Sequence, residues 1–479
     1  MSDTQRSTST AAVAATTTAT TTTKQQPGAF VWPPLHTVLP PLILGTATFN
    51  TQYVADPLAM PYRDIVARAV ELGVRAFDTS PYYGPSETLL GSALDALMNP
   101  APSAADPAPV ALPRSDFMLV TKAGRIVMDE FDYSPAWIRY SVLRSLQRLH
   151  TPYVDLVYCH DVEFVSPAEV LAAVRELRRL RDEDGVVRYV GISGFPVDVL
   201  CDLAATVLAE TGEPLDAVLS YGHFTIQNRK LGLPWVDDQS AAESAARGDS
   251  PLARFKAAGV DVVLNASILG MGLLTSHGIP PDSDAPKTTE GQGESPSPLT
   301  KWHPSPLDLR LACKELARLA VAAGERLELV AIRWALEEWA RVGAAANIGV
   351  DVSLRDSSAP QRLGATVCGV SAITELEETM LEWQGVLSGL GLQSTGTTGK
   401  IEDGPYGTAR RERVLGLVQK GLWPALGPWE GYAWPSPNPG FANTRRKEGK
   451  GVTPNDDVIA SHNDLLVKRN RGGKGSGTS

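Results

Sequence analysis

Short apolar runs alternate along this chain with longer stretches in which apolar positions recur every three or four residues. The first pattern marks buried strands and the second amphipathic helices. Extended segments are expected at Leu42 to Leu44, Val74 to Phe77, Phe117 to Val120, Val154 to Cys159, Arg188 to Ile192, Ala217 to Leu219, Val260 to Asn265 and Ala365 to Cys368. Helices are expected between them. Pro61 to Leu72 carries Ile65, Ala69 and Leu72 on one face and ends at Gly73. Another helix follows Ser86. A third starts with Ser134 as cap and Pro135 at its first position, and Ile138, Val142, Leu146 and Leu149 line one side. Ser166 to Glu169 reads as a capping box for a helix whose apolar face is Val170, Val174, Leu177 and Leu180. A last helix starts near Thr374, with Glu377 completing a second box. Eight strand–helix units in one direction predict an α/β chain folded as a closed (β/α)8 TIM barrel.

The rhythm assigns residues 37–388 to the barrel and marks what lies outside it. Segments near 99–113, 280–304 and 341–362 read as loop insertions, since strand–helix order resumes after each. Residues 1–36 form a Thr/Ala-rich stretch with too little apolar surface to offset the entropy of ordering, so a disordered tail is expected. Residues 389–444 read as an irregular segment, in which Trp423, Trp429, Tyr432 and Trp434 are expected to pack on the barrel mouth. Residues 445–479 read as a second disordered tail. The basic cluster Arg178, Arg179 and Arg181 reads as a solvated helix face, where the helix dipole favours cations.

Composition narrows the function classes. The chain has 479 residues and a formal net charge of −10, which argues against a nucleic-acid partner. No apolar run approaches the roughly 18 residues that a membrane span requires, and the amino end lacks the apolar core of a secretory signal. Cys159, Cys201, Cys313 and Cys368 have no zinc-ligand spacing and read as small buried apolar residues, so a reducing cytoplasm is the expected compartment. Asp161 and Glu163, which hint at paired acids, read as solvated loop carboxylates, and Gly270-Met271-Gly272 as a barrel loop. Oligomeric state is not readable.

Candidate chemistry gathers where the strands end. Phe77-Asp78-Thr79-Ser80-Pro81-Tyr82-Tyr83-Gly84 is a strand-to-helix loop; Lys122 closes the third strand and His160 the fourth. In a (β/α)8 barrel these ends share one face, and adjacent strands lie about 4.8 Å apart, so the four side chains can converge. A phenol is a poor base near neutrality, and a neighbouring ammonium is expected to lower its pKa. Asp78 would keep Lys122 charged, His160 would orient a substrate oxygen, and Tyr83 would move a proton to or from it. Tyr82 is expected in the pocket wall. No metal cluster accompanies the group, so a hydride-accepting organic cofactor is the simplest partner.

These residues, in this order, resemble the Asp–Tyr–Lys–His tetrad of the aldo-keto reductases. Thr121-Lys122-Ala123-Gly124-Arg125, Cys159-His160-Asp161-Val162-Glu163-Phe164 and Gly191-Ile192-Ser193-Gly194-Phe195-Pro196 are similar to the aldose dehydrogenase branch, that of D-arabinose 1-dehydrogenase and L-galactose dehydrogenase. The resemblance implies oxidation of the anomeric hydroxyl of a sugar such as D-arabinose, L-galactose or L-fucose to a 1,4-lactone, with Tyr83 as general base and NAD as cofactor. It implies cofactor contacts from Gly45, Thr46, Ala47, Asp78, Ser193, Ser220, Ser267, Leu269, Gly270, Gly369, Ser371, Glu375 and Glu378. Three positions depart from the family pattern: Gly194 replaces an amide side chain, Ser220 replaces Gln, and Ala266 replaces the aromatic residue that stacks on nicotinamide. Glu375, where NADP-dependent relatives often carry a base, would repel a 2′-phosphate and accept a bond from a 2′-hydroxyl; NAD is therefore expected over NADP. Two other readings stand beside this one: an NADPH-dependent carbonyl reductase, and a regulatory subunit that binds cofactor with little turnover.

Overall fold

The computed structural model of the chain describes residues 32–102, 110–233, 250–280, 297–353, 360–391 and 407–472. Its centre is a closed barrel of eight parallel strands, each paired with the next in sequence and the last with the first. The strands are β1 (Leu42–Gly45), β2 (Ala76–Asp78), β3 (Met118–Ala123), β4 (Val154–His160), β5 (Val187–Gly194), β6 (Ala217–Tyr221), β7 (Val262–Ala266) and β8 (Ala365–Gly369). The surrounding helices are α1 (Tyr62–Glu71), α2 (Ser86–Met98), α3 (Pro135–Arg148), α4 (Pro167–Arg179), α5 (Val197–Thr211), α6 (Pro251–Ala257), α7 (Leu307–Ala322), α8 (Leu327–Ala346) and α9 (Ile373–Gly389).

Strand alternation sorts residues between two cores. Ile43, Ala76, Val120, Leu156, Tyr158, Tyr189, Ala217, Leu219, Val262, Leu264 and Val367 fill the barrel interior. The intervening residues, such as Phe77, Leu119, Val157, Val190, Val218 and Val263, pack outward into the larger core. At the strands' N-terminal end the interior is closed by Leu35, which opens the short turn Leu35–Thr37, by Leu39 just after it, and by Val350.

Of the three helix starts read from caps in the sequence, one forms as expected and two do not. The Ser166–Glu169 capping box forms at α4. Ser134 does precede α3, but its hydroxyl bonds Asp132 at 2.5 Å rather than a helix amide. The expected box at α9 does not form: Ala372 occupies the cap, Glu375 accepts from Ser371 N at 2.7 Å, and Glu377 pairs with Arg68 at 2.8 Å.

Four other expectations are corrected. The Arg cluster is no uniform solvated face. Arg178 is buried and donates to Thr211 Oγ1 and to the carbonyls of Glu213 and Pro214, while Arg181 pairs with Asp182 and Glu213. These donors tie the end of α4 to the turn after α5. Within 341–362, α8 runs on to Ala346, Asn347 ends it in a left-handed conformation (φ 50°), and a two-stranded hairpin pairs Val350–Val352 with Gln361–Leu363. From the 1–36 segment, residues 1–31 lie outside the described residues, but Trp32 packs under Arg188 at 4.4 Å and Pro33 O accepts from Tyr189 Oη at 2.7 Å. Much of the two other expected insertions, 103–109 and 281–296, also lies outside the described residues.

The fourth correction concerns the C-terminal third of the chain. In the segment expected to be irregular, α10 (Thr408–Leu417) docks on α8 and α9 through buried ion pairs. Arg410 reaches Glu382 at 2.7 Å and Glu325 at 2.6 Å, and Arg411 reaches Glu337 at 2.9 Å. The chain then crosses the barrel mouth. Residues 445–472, expected to be disordered, run down the outside of α3 and α4. Arg445 pairs with Asp132 and Glu130 over the Trp137 ring, Tyr140 donates to Asp456, and His462 in α11 (Val458–Gly472) meets Asp184 at 3.2 Å. Single ion pairs and isolated aromatic anchors hold this extension, and neither produces a periodic pattern. Residues 473–479 lie outside the described residues.

Candidate active site

On five of the strands the inward-facing ladder continues, at its C-terminal end, into a polar residue or a glycine. Val120 is followed two positions later by Lys122, Tyr158 by His160, Ala76 by Asp78, Ile43 by Gly45 and Val367 by Gly369. These ends open into a cleft of about 1300 Å³. Asp78, Tyr82, Tyr83, Lys122 and His160 all line it, so the structure brings the expected tetrad together.

Lys122 Nζ donates to Asp78 Oδ1 at 2.5 Å and to Thr79 O at 2.9 Å, and stands 4.8 Å from the centre of the Tyr83 ring. Tyr83 and His160 meet edge to face with ring centres 5.7 Å apart, and Tyr82 lies 5.7 Å from the same imidazole. A residue that sequence reasoning did not single out fixes that imidazole. Ser80 Oγ accepts from Tyr82 N at 3.1 Å and lies 3.0 Å from His160 Nδ1. When Ser80 Oγ gives its proton to Nδ1, His160 carries its hydrogen on Nε2 and can donate it. Burial, aided by Lys122 and Arg125, lowers the His160 pKa to about 3, so the ring is neutral near pH 7.

The electrostatics of Tyr83 differ from the sequence expectation. Burial first, then the charges of Asp78 and Asp161, hold its pKa well above that of a free phenol. The cation that acts to lower it is Arg125; Lys122 is engaged by Asp78 and Thr79. Burial also pushes Asp78 upward against the pull of Lys122. A phenol in these surroundings is protonated near neutrality.

Most of the expected cofactor residues line the cleft: Gly45, Ala47, Asp78, Ser193, Ser267, Leu269, Gly369, Ser371, Glu375 and Glu378. Thr46, Ser220 and Gly270 do not. Thr46 and Ser220 have the wrong alternation and face outward: Thr46 Oγ1 bonds Asp78 O and Ser86 Oγ, and Ser220 Oγ meets His223 Nδ1 at 3.3 Å. Gly270 is held in its loop by its carbonyl, which lies 3.1 Å from His303 Nε2. Tyr221, the inward neighbour of Ser220, lines the cleft and pairs in register with Ala266, so an aromatic ring stands beside the position where the family's own is lacking.

The cleft fits a dinucleotide. Its floor has no side chains at Gly45 and Gly369, and a Cβ on Gly45 would lie 2.9 Å from Val367. Ser267, Gly270, Met271 and Gly272 all take positive φ, which curls the loop after β7 along the cleft wall. Asp78 Oδ2 is buried with no partner among the described residues, next to the nicotinamide position that the family pattern assigns. At the far end Arg326 meets Glu378 at 2.5 Å and Glu328 at 3.7 Å, with Glu375 close by in the cleft lining. Trp302 Nε1 donates to Gln52 O at 2.8 Å, joining the segment before α7 to the loop after β1.

The opposite wall was only partly foreseen. Trp434 stacks on Phe195 at 4.8 Å, and Phe441 packs edge-on against Phe131 and Phe164. Trp423 and Trp429 sit further out, on Trp334 and Tyr432. Asp161 and Glu163 are engaged rather than solvated: Asp161 is 2% exposed and pairs with Arg125, and the half-buried Glu163 accepts from Phe195 N at 3.1 Å and Ser436 Oγ at 2.8 Å. Burial and the neighbouring Asp161 raise the Glu163 pKa to about 8.

Residues 41–388 match the Aldo/keto reductase family. The chain is 38% identical to D-arabinose 1-dehydrogenase of Saccharomyces cerevisiae over 305 residues, 63% of this chain and 77% of that one. It is 30% identical to L-galactose dehydrogenase of Arabidopsis thaliana over 330 residues, 67% and 82% of the two chains. The solved glycerol dehydrogenase of Gluconobacter oxydans is 18% identical, covers 87% of this chain and 99% of its own, and superposes with a TM-score of 0.47. A match that spans the barrel, with relatives of this identity, shows that the chain belongs to the aldo/keto reductase family.

Proposed function

We propose that this oxidoreductase oxidises an aldose at C1 to the 1,4-lactone, with D-arabinose or a sugar of related configuration as substrate and NAD as cofactor. The observation that carries the reading is the convergence of Asp78, Tyr83, Lys122 and His160 on one cleft, in a chain similar to two sugar dehydrogenases. Aldo-keto reductases use nicotinamide cofactors, which when bound accept or supply the hydride and, when oxidised, add positive charge to the site. Gly45, Ala47, Asp78, Ser193, Ser267, Gly369, Ser371 and Glu375 would hold such a cofactor here. His160 Nε2–H holds the oxygen on C1. Tyr83, once deprotonated, takes the hydroxyl proton; Lys122 steadies the phenolate across the face of its ring, and Asp78 holds Lys122 in place.

NAD is favoured because Arg326 at the far end of the cleft is paired with Glu378 and Glu328, and Glu375 adds a third carboxylate to the same lining. That balance opposes a 2′-phosphate. A panel of pentoses and hexoses assayed with both cofactors tests the reading. Oxidation of D-arabinose or a stereochemical relative with a higher kcat/KM for NAD is expected. A preference for NADP overturns the cofactor assignment, and so does an unchanged preference in Glu375→Arg.

One observation favours the reverse chemistry. A phenol held protonated is a ready acid, as carbonyl reduction requires. Aldehyde reduction that outpaces aldose oxidation at neutral pH would make that the principal activity.

A further inference from the structure

We propose that Arg125 is the residue that holds the sugar by a hydroxyl other than the reacting one; this rests on the aldose reading above. Arg125 opens a short hairpin immediately after β3, three positions beyond Lys122. Gly124 makes the exit possible: it takes φ 105°, and a Cβ there would lie 2.3 Å from the Tyr133 ring. The chain thus leaves the barrel at the cleft rim and sets the guanidinium in the cleft lining.

Three aromatic rings hold that guanidinium. It lies 3.9 Å from the centre of Tyr82, 5.3 Å from Phe131 and 5.5 Å from Phe164. Such rings orient a planar cation without using its hydrogens. Nη1 donates to Asp161 Oδ2 and Nη2 to Met128 O at 3.0 Å. Two of the five N–H donors of an arginine are thus in use among the described residues; Nε is buried with no partner among them, and the second hydrogens of Nη1 and Nη2 are left for a ligand.

Asp161 is built for this task at a cost. It takes φ 56°, which is unfavourable for a residue with a Cβ. That conformation turns its carboxylate back between Arg125 and His160, whose Nε2 lies 3.7 Å from Asp161 Oδ2. One carboxylate therefore separates the imidazole that would hold the C1 oxygen from a cation with donors to spare. A polyol spans that gap naturally, with one oxygen on His160 and a second on the arginine fork. Asp161 is a positioning residue, acting through Arg125.

The test compares a sugar with its own deoxy forms. In the wild-type protein, D-arabinose should exceed at least one of its 2-deoxy and 3-deoxy analogues about 10- to 100-fold in kcat/KM, the range of a hydrogen bond to a charged group. In Arg125→Met that ratio should collapse toward one and the sugar KM rise by a similar factor, while the Kd for NAD changes less than about threefold. A merely structural arginine would depress parent and analogue alike and leave the ratio standing, which overturns the proposal. Arg125→Lys keeps the ion pair with Asp161 but loses the fork. It should fold whether or not the Met variant does and still lose most of the discrimination; full discrimination in Arg125→Lys also overturns the proposal. Failure of the wild-type protein to oxidise any aldose overturns the aldose reading and this inference with it, whereas turnover with an unchanged ratio overturns the inference alone.

Discussion

At the residue scale, the pH dependence of turnover separates the roles of Tyr83 and His160. A proton acceptor whose pKa lies well above neutrality is scarce as the anion, so aldose oxidation should rise about tenfold per pH unit through the neutral range. Carbonyl reduction by the same phenol should not gain with pH. No inflection is expected near 6.5, because burial holds His160 neutral down to about pH 3. The same depression acts on stability. Its contribution is present above the unfolded pKa of about 6.5 and is lost as pH falls toward 3. A kcat/KM profile governed by a histidine near pH 6.5 would contradict this account. The tetrad was legible because each member closes an apolar run or follows it on a short loop. Ser80 and Arg125 were not singled out: a serine between Thr79 and Pro81 and a lone arginine after Gly124 carry no periodic signal, and only the cleft gives them partners.

At the element scale, strand alternation decides which neighbour of a strand end enters the cleft. The barrel strands were readable from apolar runs, yet the family pattern assigned Ser220 to the cofactor although Leu219 and Tyr221 share the inward face. The register of one strand contained the answer: if Leu219 fills the barrel, Ser220 cannot. Ser220→Ala is therefore expected to leave the Kd for NAD within about twofold of wild type, whereas Tyr221→Ala should weaken it about tenfold. Titration of the intrinsic fluorescence with NAD measures both. The reverse ranking would return Ser220 to the site. The expected cap at α9 failed for a related reason: Glu377 is drawn to Arg68 across the helix layer, and local motifs yield to such tertiary partners.

At the scale of the whole molecule, the chain beyond the barrel is part of its architecture. Arg410 is 6% exposed and faces Glu382, which is fully buried. Without Arg410, Glu382 keeps Arg333 at 3.5 Å but loses its closer partner, which leaves a buried charge undercompensated. Arg410→Ala should lower stability by about 3 kcal/mol in denaturant unfolding, and an unchanged midpoint would show that α10 is dispensable. This segment was the least legible part of the sequence. Sequence patterns find elements that bury a continuous face, and these residues instead bury scattered anchors: Arg410, Trp423, Trp434, Phe441 and Arg445. Trp434 and Phe441 also complete the cleft wall beside Arg125, so the extension belongs to the site as well as to the fold.

The central claim is that Tyr83 moves the proton of the reacting hydroxyl. The ultraviolet absorbance of reduced nicotinamide, followed in Tyr83→Phe with saturating aldose and NAD, tests it most directly once titration shows that NAD still binds. The account predicts a fall in kcat of at least about 100-fold, the usual range for a lost acid–base group, with the Kd for NAD unchanged within about threefold. Turnover at the wild-type rate in a variant that lacks only the phenolic oxygen would contradict it.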